Sequence, residues 1–327
     1  MPMEFGPKLL VLSGGEDDAV TDVMDLEMTL DGANATWEIT RYSGIEHAFT
    51  VFGDERYNEF VDMRSWDSAY KFVQESFGLI EYASDRPEMS ETTPVEYVDM
   101  TDGKELMGHV AIPSDEWERP LPAIVILPDW TGADDYEKER ATALAEMGYV
   151  AMVADIYGAD KQSVESVDER VELITQYGGN PELYTSRISS AIEQLKGIAD
   201  VDTDNMGMIG YCFGGTGAVI YSFFSGADMK IAVAFHGSFT AFPPVVVDEI
   251  SPYLLILSGG DDGLHGNQTI MEDAFNSGNA DWEITRYSGV DHGYTDWYVP
   301  AYDLAADARS WESMSTAFHE MLAVPKM

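Results

Sequence analysis

The sequence predicts an α/β fold, with a mainly parallel sheet covered by helices on both faces. Three observations point there. Short apolar runs bounded by turn residues alternate with stretches of helical period. One run, Met206–Tyr211, enters a glycine-rich turn and then a helix. Two later runs end in loops carrying carboxylates and a histidine, at the strand ends where open α/β sheets place their chemistry.

Taken in order, Lys8–Leu12 reads as a strand close to the N-terminus, leaving no room for a signal peptide. Glu81–Thr93 is polar and acidic, with one proline and no apolar period, and reads as a linker. Val95–Met100 and Glu105–Ile112 form a hairpin around Asp102-Gly103, leading to the strand Leu121–Pro128. Then come a helix over Asp134–Met147, a strand over Tyr149–Ala154, and helices near 163–177 and 181–197. Asn180-Pro181-Glu182 has the form of a helix start. After the Met206 strand follow a helix over 215–225 and strands over Ile231–Phe235, Tyr253–Ser258 and Trp282–Tyr287.

The turn after Met206 carries the chain's only cysteine, Cys212, flanked by Gly210 and Gly214. This is the pattern of a nucleophile elbow with sulfur in place of a serine oxygen, where side chains at the flanking positions would clash between strand and helix. A helix N-terminus also favours an anionic thiolate. The plainer alternative is a buried structural cysteine beside a glycine-rich turn. An elbow nucleophile needs a carboxylate and then a histidine further along the chain. Tyr253–Ser258 runs into Gly259-Gly260-Asp261-Asp262-Gly263, and Trp282–Tyr287 into Ser288-Gly289-Val290-Asp291-His292. Cys212 is therefore the candidate nucleophile, His292 the base and later acid, and Asp262 the orienting carboxylate, with Asp261 its rival. His236 and His265 are candidates for lining the pocket; His109 and His319 read as a strand residue and a helix-face residue. Backbone N–H groups of Phe213 and Trp130 are the candidate oxyanion donors. Trp130, Phe213, Tyr211, Trp297 and Tyr294 suggest an aromatic mouth or, equally, packing.

These residues resemble the dienelactone hydrolase family of the α/β-hydrolase superfamily. The likeness covers roughly residues 94–323 and rests on IGYCFGG at 209–215, GYVAMVADIYG at 148–158, SGGDD at 258–262 and SGVDHGY at 288–294. It implies an α/β-hydrolase fold, a triad at Cys212, Asp262 and His292, oxyanion donors at Phe213 and Trp130, no cofactor, and hydrolysis of esters or lactones through an acyl-enzyme. Family members usually carry a glutamate as a thiol switch before the oxyanion donor; Asp129 stands there, and by itself reads equally as a solvated turn residue. Dienelactone-cleaving members hold the substrate carboxylate with an arginine four residues after the histidine, where this chain has Asp296. A neutral ester or lactone suits that position better than an anionic one. A silent hydrolase-fold binding or assembly module and a thiol acyltransferase are the alternatives.

Leu9–Trp66 parallels Leu254–Trp311 without a gap, at a constant offset of 245 residues, and Trp37–Gly44 recurs identically as Trp282–Gly289. Asp17 matches Asp262 and His47 matches His292. The expected organisation is a partial repeat of the last third of the hydrolase domain over 1–80, a linker over 81–93 and a complete domain over 94–327. The repeat needs a partner for its apolar faces: the main domain, a second chain in a homo-oligomer, or an exchange that offers Asp17 and His47 to Cys212 as a substitute or vestigial site.

Acidic residues outnumber basic ones 59 to 18, for a formal charge of −41 spread along the whole chain. Nucleic acid and anionic membrane surfaces would be repelled. No apolar run reaches a membrane-spanning length, no cluster has metal-ligand spacing, and a single cysteine suits a reducing cytoplasm. The expected partner is a small ester or lactone. Self-repulsion on this scale opposes compactness until salt screens it, and at about 1 M the Debye length falls to roughly 3 Å. The sequence thus predicts salt adaptation: melting temperature and activity should rise together between dilute buffer and molar salt, and melting curves that fall with salt would refute it.

Overall fold

The computed structural model of the protein describes residues 8–80, 82, 92–237, 250–262 and 267–323. The expected linker over 81–93 lies outside the described residues apart from Tyr82, Thr92 and Thr93, as does His265. The N-terminal unit comprises β1 (Lys8–Gly14), α1 (Val20–Gly32), β2 (Thr36–Tyr42) and α2 (Glu59–Ser76). The hairpin β3 (Thr93–Val98) and β4 (Glu105–Ala111) follows. Then come β5 (Leu121–Leu127), α3 (Asp135–Glu146), β6 (Val150–Val153), α4 (Val167–Gly178), α5 (Pro181–Lys196), β7 (Val201–Tyr211) and α6 (Phe213–Phe224). The chain continues through β8 (Ile231–Phe235), β9 (Tyr253–Gly259), α7 (Gln268–Ser277), β10 (Trp282–Tyr287) and α8 (Leu304–Met321).

These elements depart from the expected bounds for local reasons. Ser166 accepts the Glu169 N–H and so starts α4 at Val167, later than the expected helix near 163. Asn180 caps α5 the same way through the Leu183 N–H, with Pro181 in its first turn. β7 begins at Val201 because a polar stretch without apolar alternation, Asp202–Asn205, is carried into the sheet, and α6 begins at Phe213, not 215.

All ten strands join one sheet in the order β1-β2-β10-β9-β8-β7-β5-β6-β4-β3. Pairing is parallel from β10 through β6, and antiparallel at β4 with its two neighbours and at the β2/β10 junction. β5 is buried along its whole length, as a central parallel strand covered on both faces must be. Tyr177 of α4, Tyr184, Ile188 and Leu195 of α5 and Ala218 of α6 pack on one face, while Tyr136 and Leu144 of α3 and Met314 and Phe318 of α8 pack on the other.

Within the chain, the N-terminal unit lies against the hydrolase domain and extends this sheet, one of the placements expected from sequence. β2 pairs with β10, whereas His47 bonds Asp17 and Cys212 is met by His292. Under the junction, Arg64 of α2 reaches Glu283 of β10 at 2.5 Å and Glu320 of α8 at 2.7 Å, with Arg64 and Glu283 both nearly sealed from solvent. Truncating one member of such a buried pair strands the other charge and typically costs about 3 kcal/mol. Arg64→Ala should therefore lower unfolding free energy by about that amount in urea titrations at fixed salt; a loss within the error of the wild-type value would show that Glu283 finds water instead.

Candidate active site

β7 delivers the chain to Cys212, which adopts φ +52° and ψ −112°, and α6 leaves from the next residue. Positive φ at a residue with a side chain is costly and persists only where surroundings enforce it. Here the enforcement is close backbone packing. A Cβ on Gly210 would overlap the Gly214 carbonyl, and one on Gly214 would overlap the carbonyls of Leu127 and Pro128. The elbow expected from the glycine spacing is therefore present.

The loops after β9 and β10 bring Asp262 and His292 to the sulfur. His292 Nε2 lies 3.0 Å from Cys212 Sγ, and His292 Nδ1 lies 3.0 Å from Asp262 Oδ2. Of the two rivals, Asp262 is buried and touches His292, while Asp261 is exposed. Burial opposes a charge on His292, but the hydrogen bonds with Asp262 and Cys212 and their negative charges outweigh it and raise the imidazole to about 10.

Phe213 and Trp130 flank the same centre. As the first residue of α6, Phe213 has an N–H without an intrahelical acceptor. Its position is fixed by the Tyr184 hydroxyl, which donates to the Phe213 carbonyl at 3.0 Å, and by stacking of the two rings at 4.6 Å. Trp130 follows β5, and Arg170 lies over its ring. Asp129 is half-buried close by, but the group it engages is Thr131: its Oδ1 accepts from Thr131 N at 2.6 Å and Thr131 Oγ1 at 2.5 Å. Burial raises Asp129 to about 6 against the pull of those bonds.

Cys212, His292, Asp262, Trp130 and Asp129 line a cavity of about 810 Å³ open to solvent, completed by Tyr136, Ile174, Tyr211 and the 299–301 segment among others. Its wall includes Asp129, Asp262, Asp291 and Asp296 and, among the described residues, no lysine or arginine. Of the suggested aromatic mouth, Trp130 and Tyr211 reach the cavity. Tyr294 is fully buried against His236, and Trp297 packs on the Arg140 guanidinium.

One polar chain behind the site was not evident from sequence. The Cys212 N–H donates to Phe235 O at 3.0 Å and to His236 Nδ1 at 3.2 Å, so His236 carries its proton on Nε2 and donates it to Thr295 Oγ1 at 2.7 Å. Thr295 Oγ1 bonds the Tyr136 hydroxyl at 2.6 Å, and Arg140 Nη2 donates to the Thr295 carbonyl at 2.8 Å and to Asp307 at 2.5 Å. Burial, and next the neighbouring His292, hold His236 well below the usual imidazole range, so it stays neutral. The available signal was small: His236 at a strand's end, and Thr295 three residues after His292. His109, on β4, bonds Gln162, and His319 is exposed on α8, both as read from sequence. Among the described residues, no group of three or more His, Cys, Asp or Glu is arranged to hold a metal ion, and no helix is long and apolar enough to cross a membrane.

A parallel sheet whose elbow, acid and base loops converge in this order is that of an α/β-hydrolase. Comparison with known proteins gives the same answer: the chain belongs to the dienelactone hydrolase family, whose profile matches residues 4–77 and 106–322. A Yersinia pestis protein bearing the name carboxymethylenebutenolidase is 25% identical over 237 residues, spanning 68% of this chain and 87% of its own. A Bradyrhizobium protein bearing the name 2-oxo-3-(5-oxofuran-2-ylidene)propanoate lactonase is 24% identical over 236 residues, spanning 68% and 93%. Among solved structures, the dienelactone hydrolase-like promiscuous phosphotriesterase P91, from metagenomic libraries, aligns with TM-score 0.65 at 28% identity, covering 71% of this chain and 98% of that one.

The raised His292 links stability to pH. With a folded value of about 10 against the ordinary 6.5, the folded state holds this proton more tightly, so its contribution is complete below 6.5 and disappears as pH climbs through 10. Over that window the wild type should lose more unfolding free energy than His292→Gln; equal losses in parallel urea titrations would contradict the assigned charge.

Proposed function

We propose that the protein is a cysteine-dependent hydrolase of carboxylic esters or lactones, acting through Cys212, His292 and Asp262. The observation that carries this reading is the 3.0 Å contact between Cys212 Sγ and His292 Nε2 at the wall of an open cavity. The thiolate adds to the substrate carbonyl, and the Phe213 and Trp130 N–H groups receive the oxyanion. His292, held by Asp262, gives its proton to the leaving alkoxide. The acyl group is then on sulfur as a thioester. Water deprotonated by His292 attacks it, releasing the acid and returning the thiolate–imidazolium pair. No cofactor enters these steps.

The cavity's charge selects the substrate class. Four aspartates and, among the described residues, no lysine or arginine face the ligand, and Asp296, four residues after His292, is one of the four. A carboxylate on the substrate would meet repulsion and leave buried polar groups unpaired, so neutral esters and lactones fit this chain. Asp129, tied to Thr131, can reach the sulfur as a thiol switch only by giving up those bonds. With its acidic composition and single cysteine, the protein suits a saline cytoplasm.

Hydrolysis of a short-chain nitrophenyl ester in molar salt tests the assignment. Cys212→Ala should reduce kcat/KM to background, and His292→Ala should lower it by about 10²- to 10⁴-fold. A thioester adduct at Cys212 should appear by mass spectrometry at early times. Turnover unaffected by Cys212→Ala would end the proposal, and acyl transfer to added amines or alcohols in preference to water would make the protein an acyltransferase.

A further inference from the structure

The junction between the N-terminal unit and the hydrolase sheet is two-fold symmetric. β2 and β10 run antiparallel with Thr40 facing Thr285, residues 245 apart in the chain, and their hydroxyls lie 3.0 Å from each other. Around that point every principal contact occurs twice with the roles exchanged. Arg41 of β2 pairs with Glu272 of α7 at 3.1 Å, and Arg286 of β10 pairs with Glu27 of α1 at 2.9 Å. Arg64 of α2 reaches Glu283, while Arg309 of α8 reaches Glu38. The Trp37 N–H donates to Ser288 Oγ at 2.7 Å, and the Trp282 N–H to Ser43 Oγ at 2.7 Å. The backbone does the same, with Ser288 N to Trp37 O at 2.9 Å and Ser43 N to Trp282 O at 2.8 Å. In each case the two members of the set are related by the same sequence offset.

Two further observations join this symmetry. The family profile matches residues 4–77 as well as 106–322. The N-terminal unit also repeats the geometry of the acid–base pair, with His47 Nδ1 3.2 Å from Asp17 Oδ2 as His292 Nδ1 is 3.0 Å from Asp262 Oδ2. His47 is largely exposed, and the chain's only cysteine is elsewhere.

We infer that the edge formed by α7, β10 and α8 is a self-complementary surface whose kind of partner is a second copy of itself, and that residues 8–76, a partial duplication of 253–321, supply that copy within one chain. Isologous interfaces require that a surface carry both halves of each contact, and this one does. Glu272 and Arg286, Glu283 and Arg309, Trp282 and Ser288 all lie on the hydrolase side, and each would find its complement on an identical edge turned about Thr285. The internal copy fills the edge first because a tethered partner acts at a high effective concentration. It also covers β10, which would otherwise be an edge strand, and moves the end of the sheet to β1. The inference is independent of the chemistry assigned to Cys212.

The test uses the full chain in molar salt, with Cys212→Ser to remove the native thiol and Thr285→Cys as a reporter on the axis. This parent should run at one-chain mass by light scattering and stay unlinked under oxidation. Adding Arg41→Glu and Arg64→Glu sets like charges against Glu272 and Glu283 and should release the internal copy. The mass should then double, and most of the protein should become disulfide-linked through position 285. The same charge changes in the Cys212 protein should leave ester hydrolysis within about two-fold. A released chain that keeps its circular dichroism yet stays at one-chain mass and unlinked would overturn the inference. If that variant does not fold, Thr40→Cys with Thr285→Cys decides: an intrachain disulfide at one-chain mass supports it, and no disulfide, or a chain-to-chain one, refutes it.

Discussion

The reactive centre depends on how closely the backbone of α6 passes the ends of β7 and β5. At Gly210 and Gly214 no side chain fits between them, and the space saved forces Cys212 into positive φ. That single conformational cost places the sulfur at the end of the sheet, where nothing on its own strand competes for it. The adjacency of β7, β8, β9 and β10 then does the rest, since the loops leaving these parallel strands open on the same edge. Asp262 and His292 need only short loops to arrive.

Two imidazoles with opposite tasks stand 5.1 Å apart, ring centre to ring centre. His292 has a carboxylate on one nitrogen and a sulfur on the other, and both favour its proton. His236 has an N–H on one side and a hydroxyl on the other inside a sealed environment, and neither stabilises a charge. Keeping His236 neutral spares His292 a cationic neighbour. Its role is to hold the Cys212 backbone, and through Thr295, Tyr136 and Arg140 that hold extends to α3 and α8.

The parts of this arrangement visible in sequence are those with local signatures. The glycine spacing around Cys212 announced the elbow because a steric rule ties two residues to one turn. Asp262 and His292 were legible as neighbours of the sulfur because each lies on the loop that follows an apolar strand. The position of the N-terminal unit was not legible, since sheet extension, docking on a second chain and exchange all bury the same apolar faces. What separates them is the register of Thr40 on Thr285 and the exchanged ion pairs, contacts between residues more than two hundred positions apart. The His236–Thr295–Tyr136 chain was hidden for the same reason, because hydrogen bonds between distant elements leave no periodicity. Tyr294 and Trp297 went into packing because aromatic residues near a catalytic loop serve the core and the mouth with the same side chain.

Five of the ten arginines in this chain lie in its interior. Arg41, Arg64, Arg140, Arg187 and Arg286 have side chains at most 5% exposed, each against a carboxylate. In a chain so poor in basic residues, this internal use leaves few guanidinium groups on the outer skin and many carboxylates in contact with bulk solution. Any solute approaching the mouth first crosses a sheath of mobile inorganic cations condensed on that skin. The composition of that sheath, as much as the shape of the cavity, sets the local ionic medium in which the thiolate meets its substrate.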